Sequence, residues 1–499
     1  MKILILNHHF FQDINELKHS NSKNHTIKLI QPNYFANHAK KLFPEEVFGG
    51  NLMAYHKKEY ENSRIAFRKI AFELLYDIFK IYQFDLFIAP SDTFFYIRDV
   101  IDACESLGVQ FIVVQKELGV SPYLFEKHAL ELLESFPVKC DFMTTCSDDS
   151  KLFWCRAGGK QDKIFVVGQP RFDFYFRKLS IEESSNSPIK KQNKTNVLFL
   201  SYDLNAYSAT VVDGRLNKPW EKIHNETIEA LAEIAALDNI CVYVKPHPQQ
   251  DMDSLNKIKA RVSNLENFVL LPGNTDTRLL ILESDIIVGF QTTALLEAMA
   301  INKKVIYTFW SEKVEELKNG LLQFHTLANC INIAKSPNDI KYFITNPQYI
   351  IGGNEINQEQ ISIRKSEFVS LLGPVDGRSS ERTWNIIEKV SESFSPTKDN
   401  ESLRNDLLLG NTDFINNQIK KSISIISQLT IILKIVKSIF VNSSKVKVFF
   451  ENKLSTELKR LEECSSQNYL TSSDVIIGAT YFSTSEFILN NIKRKISSK

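Results

Sequence analysis

The chain is short of the features that most quickly assign a class. Its seven cysteines, at 104, 140, 146, 155, 241, 330 and 464, stand singly with no CxxC pair. That spacing argues against a disulfide framework or a zinc site and predicts reduced, mostly buried thiols. Charge of one sign is not in excess, because 60 Lys and Arg face 59 Asp and Glu. The broad basic footprint of a nucleic-acid binder is therefore missing, and any polyanion has to be met locally. Long apolar runs are missing too. The uncharged, apolar-rich stretch 422–433 falls well short of the roughly 18 apolar residues of a membrane span. The N-terminal "MKILILNHHF" has too short an apolar part for a signal peptide, and the expectation is a cytoplasmic protein. Neither half carries GxGxxG after its first apolar run, which counts against hydride transfer from a dinucleotide.

What the chain does have is alternation. Over the first 175 residues, short β-branched runs alternate with longer helical patterns, the signature of repeated βα units and a parallel sheet. The runs 2–7, 26–31, 85–90, 110–115, 141–146 and 163–168 predict strands, and 60–82, 94–107, 122–136 and 148–157 predict helices. The polar stretch "IEESSNSPIKKQNKTN", 181–196, reads as a linker. A second block follows with strands expected at 196–201, 241–246, 268–273, 285–290 and 304–309, and helices at 219–237, 252–263, 277–283 and 293–301. The expected fold class is α/β: two Rossmann-like doubly wound domains, 1–180 and 197–398, facing a cleft along the C-terminal edges of their strands, where open α/β sheets bind ligands. The last part, 399–499, differs. From Lys420 to Lys447 there are six lysines and no acid, while Ile425, Leu429, Ile432, Val436 and Ile439 recur at helical spacing. A basic amphipathic helix is expected there, either packed on the core with its lysines in water or docked on an anionic membrane surface at 420–447.

Candidate chemistry sits at the strand ends. "VKPHP" places Lys245 and His247 between prolines that fix the neighbouring φ angles and hold the imidazole in the turn, where a donor suits a nucleotide phosphate. In "GFQTTALLEAMA", a strand breaks at Gln291-Thr292-Thr293 and a helix begins. The threonine hydroxyls there either cap the helix or join its amides in holding an anion. Glu297, four residues past Thr293, can accept hydrogen bonds from a ribose or be a surface residue. "VVQKELGVSP" sets Glu117 at a strand end with Gly119 allowing close approach; a carboxylate there can take a proton from an attacking hydroxyl or play a structural part. His8 and His9 end the first strand, too few for a metal site and suited to an acceptor. Asp203 follows the first strand of the second block, where it can touch a donor. Arg171 in "GQPRFD" can reach a phosphate or help shape the interdomain turn.

The segments "VVGQPRFD" (166–173), "VKPHP" (244–248) and "SDIIVGFQTTALLEAMAINKKVIY" (284–307) resemble bacterial surface-carbohydrate transferases of the GT-B fold. These are capsule and lipopolysaccharide glycosyltransferases, including those using CMP-activated acidic sugars, and the related CDP-glycerol glycerophosphotransferases. The resemblance covers about residues 1–395. It implies that His247 and the pair Thr292 and Thr293 hold the donor phosphate, that Glu297 is the nucleotide-side glutamate, and that Glu117 is the base. The family pattern has two acids before the glycine, and here the second position is Leu118. The expectation is thus a metal-independent glycosyltransferase, with 1–180 on the acceptor side and 197–398 binding the nucleotide donor. It would move a sugar, a CMP-sugar favoured, to a surface-polysaccharide or lipid-linked acceptor. No metal or other cofactor is expected, since no DxD stands at a cleft-facing strand end, and no nucleic acid is expected as partner. The alternatives are a CDP-glycerol-type polyol-phosphate transferase, a UDP-sugar 2-epimerase and a non-catalytic scaffold at the inner face of the cytoplasmic membrane.

Overall fold

In a computed structural model the described residues are 1–394, apart from 9, 49–51, 117–119, 181–187, 190–192, 205–210, 213–214, 217, 248–249 and 354–356. The expected tail helix, Glu117, Gly119, His9 and most of the expected linker lie outside the described residues.

The first sheet contains β1 (Lys2–Leu6), β2 (Thr26–Ile30), β3 (Leu86–Ala89), β4 (Gln110–Val114), β5 (Phe142–Thr145) and β6 (Ile164–Val166) in the order β2-β1-β3-β4-β5-β6. Every pairing is parallel, with Ile3 opposite both Ile27 and Leu86. Strands covered on both faces are apolar throughout, and alternate residues serve opposite layers. Leu4, Leu6, Phe87 and Phe111 meet one layer, with α2 (Asn33–Leu42), α3 (Glu61–Ile81), α4 (Phe95–Ser106) and α5 (Phe125–Ser135) behind them, while Ile3, Ile5, Ile88 and Ile112 meet Ile14 and Leu17 of α1 (Phe11–His19). A further helix, α6 (Asp148–Arg156), starts under a Ser147 cap whose side chain accepts from the Ser150 amide.

The second sheet opens with β7 (Thr195–Leu200), one residue earlier than expected, followed by a small hairpin of β8 (Val211–Val212) and β9 (Arg215–Leu216). Then come β10 (Ile240–Lys245), β11 (Phe268–Leu270), β12 (Ile286–Gly289), β13 (Lys304–Thr308) and β14 (Asn332–Ala334), giving the parallel order β11-β10-β7-β12-β13-β14. Its helices are α7 (Glu221–Ala235), α8 (Met252–Val262), α9 (Thr277–Glu283), α10 (Ala294–Ala300), α11 (Glu312–Leu317), α12 (Pro337–Thr345) and α13 (Gln358–Leu372). The expected fold class is present: two doubly wound parallel domains in tandem. Each has a switch point, between β1 and β3 in the first and between β7 and β12 in the second, because the chain builds outward on one side and then crosses to the other.

The chain also returns. The last described helix, α14 (Ser379–Glu392), buries Trp384, Ile387 and Val390 against β1, β3 and β4 of the first sheet. Two glycines mark where the returning chain meets the first domain. Gly168 has φ +84°, and a Cβ there would stand 2.4 Å from the Ser379 hydroxyl; Gly373 has φ +70°, and a Cβ would collide with the Cys146 carbonyl at 1.7 Å. Both positions need a residue with no side chain and an accessible left-handed backbone. Among the described residues, no helix is long and apolar enough to cross a membrane.

Candidate functional site

The edge of the second sheet is built from three strand ends. At the first, β10 delivers Lys245 and then Pro246 and His247. Lys245 is buried, and its ammonium donates to the carbonyls of Pro246 (2.9 Å) and Gly273 (2.8 Å), tying the turn to the loop before α9. Burial pushes its pKa below the ordinary lysine value, with the Asp276 charge opposing. His247 is half-buried, and its carbonyl accepts from the Gln250 amide at 3.0 Å.

Beneath that turn lies a polar cluster. Ser201, directly after β7, donates to Gln250 Oε1 (2.8 Å) and pairs with His224 Nε2 of α7 (2.8 Å). A hydroxyl has one proton, so with Gln250 receiving it Ser201 accepts from a protonated Nε2. His224 is enclosed, and burial brings its pKa down to about 4, so it is neutral near pH 7. Among the described residues, the buried Gln250 amide nitrogen and Tyr202 hydroxyl have no hydrogen-bond partner. Asp203, next along, is half-buried at the same edge.

At the third strand end Gln291 takes φ +46°. Its amide donates to the Tyr307 hydroxyl (2.7 Å) and the Leu322 carbonyl (3.0 Å), and its oxygen accepts from the Leu322 amide (2.7 Å). Gln291, expected on the donor, thus pins the loop at 321–322. Thr292 Oγ1 accepts from the Ala294 amide at 3.3 Å, and Thr293 occupies the cap position of α10 without capping through its side chain.

Arg171 and Glu297, expected at the phosphate and the ribose, are brought to each other. Arg171 Nη2 lies 3.0 Å from Glu297 Oε1, both side chains under a tenth exposed, and the Tyr175 hydroxyl donates to Oε2 at 2.7 Å. This pair belongs to a seam between the domains. Glu16 of α1 accepts from Arg177 (2.7 and 3.2 Å) and from Arg278 of α9 (3.1 Å), which is also paired with Asp276 at 2.8 Å. The Arg278 guanidinium stands 4.2 Å from the Phe174 ring centroid. Asp13 accepts from Gln169 Nε2 (2.5 Å) and the Arg171 amide (3.2 Å), and Asp173 takes the first amides of α14, Ser379 at 3.0 Å and Ser380 at 2.7 Å. Asp13 and Glu16 were not singled out from sequence. Their signal was present: with Ile14 and Leu17 they put two acids on the buried arc of an otherwise amphipathic helix.

On the first sheet, His8 Nδ1 hydrogen-bonds the Tyr96 hydroxyl at 2.5 Å, and its ring stacks on Phe94 with centroids 4.4 Å apart. His8 follows β1, and Phe94 and Tyr96 follow β3, so the contact bridges that sheet's switch point.

Neither a protein-family profile nor a curated protein sequence matches the chain. Solved structures similar to it include a UDP-GlcNAc 2-epimerase from Neisseria meningitidis bound to UDP-GlcNAc (13% identity, 78% of this chain and 100% of that one, TM-score 0.45). A putative UDP-N-acetylglucosamine 2-epimerase from Listeria monocytogenes is similar over 79% of this chain and 98% of that one, at 11% identity and TM-score 0.47. The wall teichoic acid polymerase TagF is similar over 79% and 89%, at 10% identity and TM-score 0.45. Scores at this level transfer no reaction to this chain.

Proposed function

We propose that the protein is a metal-independent glycosyltransferase that moves a sugar from a cytidine-nucleotide donor, a CMP-sugar, to a surface-polysaccharide or lipid-linked acceptor. The observation that carries this reading is the second sheet's switch point. His247 after β10 and Thr292 and Thr293 after β12 flank β7 from either side, where doubly wound sheets bind nucleotides. An imidazole and two hydroxyls at one edge can meet the oxygens of a departing phosphate, and the buried Lys245 ammonium adds fixed positive charge beneath the turn. Asp203 borders the same edge. In this reading the acceptor enters along the first sheet, past His8 and His9, and Glu117 removes the proton of its hydroxyl. Charge on the leaving nucleotide is stabilised by fixed donors, so turnover should persist in a chelator.

The test is a thermal-shift series with CMP, CDP, UDP and GDP, followed by mass spectrometry of the product. Stabilisation by a cytidine nucleotide and an acceptor heavier by one sugar support the proposal. A phosphodiester in the product would instead indicate polyol-phosphate transfer. Product formed from a UDP-sugar alone would indicate epimerisation.

A further inference from the structure

The first domain exposes an apolar strip that the proposed reaction does not use. Among the described residues, Tyr123, Leu130, Leu133 and Leu152 are 66%, 52%, 41% and 46% exposed, the three leucines on two adjacent helices and Tyr123 in the turn just before the first. On α5, Glu126, Leu130 and Leu133 follow the i, i+4, i+7 rule of one helix face. Arg156 of α6 pairs with Glu126 and stands 5.6 Å from the Phe125 ring, while Leu152 lies one turn before Arg156. Leu133 packs over Gly158, just past the end of α6. The side chains therefore form one continuous surface. At its upper end is a groove of about 290 Å³ lined chiefly by Val120, Pro122, Phe125, Leu152 and Leu371.

The charges beside this strip select its occupant. Glu126, Glu131, Glu134, Asp148 and Asp149 stand along it against Lys127, Lys151 and Arg156, so it is net acidic and would repel an anionic membrane. The chain itself carries the complement. Residues 420–447 hold six lysines, no acid, and Ile425, Leu429, Ile432, Val436 and Ile439 at helical spacing. This segment follows the last described residue, Phe394, by some two dozen residues, and at about 3.3 Å per extended residue that length spans a domain. We infer that residues 420–447 dock in cis on the α5–α6 face, apolar side on Leu130, Leu133 and Leu152, with lysines toward the acidic rim. The groove end of this face is lined by Val120 and Pro122, a few residues after β4 in the chain.

The test uses the full-length chain with a photo-reactive benzoylphenylalanine in place of Leu130 or, separately, Leu152, both exposed enough to be changed without unfolding the domain. Adducts mapping to 420–447 within one molecule, and lost when Lys420, Lys421, Lys434 and Lys437 are changed to Glu, are the expected result. Adducts between chains in a mixture of isotopically light and heavy protein would overturn docking in cis. Adducts elsewhere in the chain, or none from either position, would overturn the site itself. In a third arm, phosphatidylglycerol vesicles that capture the protein through the same probes would show a membrane as the occupant. None of these outcomes depends on what reaction the cleft performs.

Discussion

The seam between the domains and the edge of the second sheet use similar residues to opposite ends. In the seam, Glu16, Arg177, Arg278, Asp276, Arg171 and Glu297 are turned on one another and mostly buried. At the edge, His247 is half-buried, and the Thr292 and Thr293 hydroxyls open a helix of one to two turns. Buried pairing holds parts in place, because removing one partner strands an uncompensated charge. A half-exposed imidazole keeps part of its surface toward solvent and is suited to meeting something from outside. The first region should thus answer to stability measurements and the second to kinetics.

The largest effect expected is in the seam. Glu16→Ala leaves Arg177 and Arg278 without their shared carboxylate and should cost about 3–5 kcal/mol in chemical denaturation; an unmoved midpoint would remove the seam's structural role. Next is the cluster under the edge. The His224 pKa, about 4 in the fold against an ordinary 6.5, means the unfolded chain binds the extra proton first. Its contribution is therefore complete above pH 6.5 and lost as pH falls toward 4, a drop of about 3 kcal/mol. Comparing unfolding at pH 7 and pH 5, His224→Gln should flatten this limb; an equally steep limb in the variant would assign it to other groups. At the edge itself, His247→Ala should lower kcat/KM by roughly 10²-fold, about 2.7 kcal/mol, with little change in the unfolding midpoint. The reverse pattern would make His247 part of the fold. The smallest effect is the coupling of Arg171 and Glu297. A double-mutant cycle with Arg171→Gln and Glu297→Gln should give about 1–2 kcal/mol in stability; additive losses would show that the pair is incidental.

Much of the scaffold was readable because its signals are local. The helix expected at 277–283 is α9 as observed, and eleven of the twelve strands in the two sheets lie where apolar runs predicted them. The missing one, β14, is only Asn332–Ala334, too short to show a period. The seam was not readable, since Glu16 and Arg278 stand 262 residues apart, and no periodicity links them. The same distance problem hid the partnership of Arg171 with Glu297. Periodicity placed both at strand or helix ends but could not say which way each would turn. Ser201, His224 and Gln250 gave no signal beyond being polar residues near apolar ones.

Gly168 and Gly373 carry a consequence for motion. A Cβ at Gly168 would touch Ser379 and the Pro374 carbonyl, and one at Gly373 the Cys146 carbonyl, so the returning chain is seated closely against the ends of β5 and β6. Any displacement of the second half has to carry or break that seat, and the buried pairs of the seam, Glu16 with Arg278 and Arg171 with Glu297, oppose it as well.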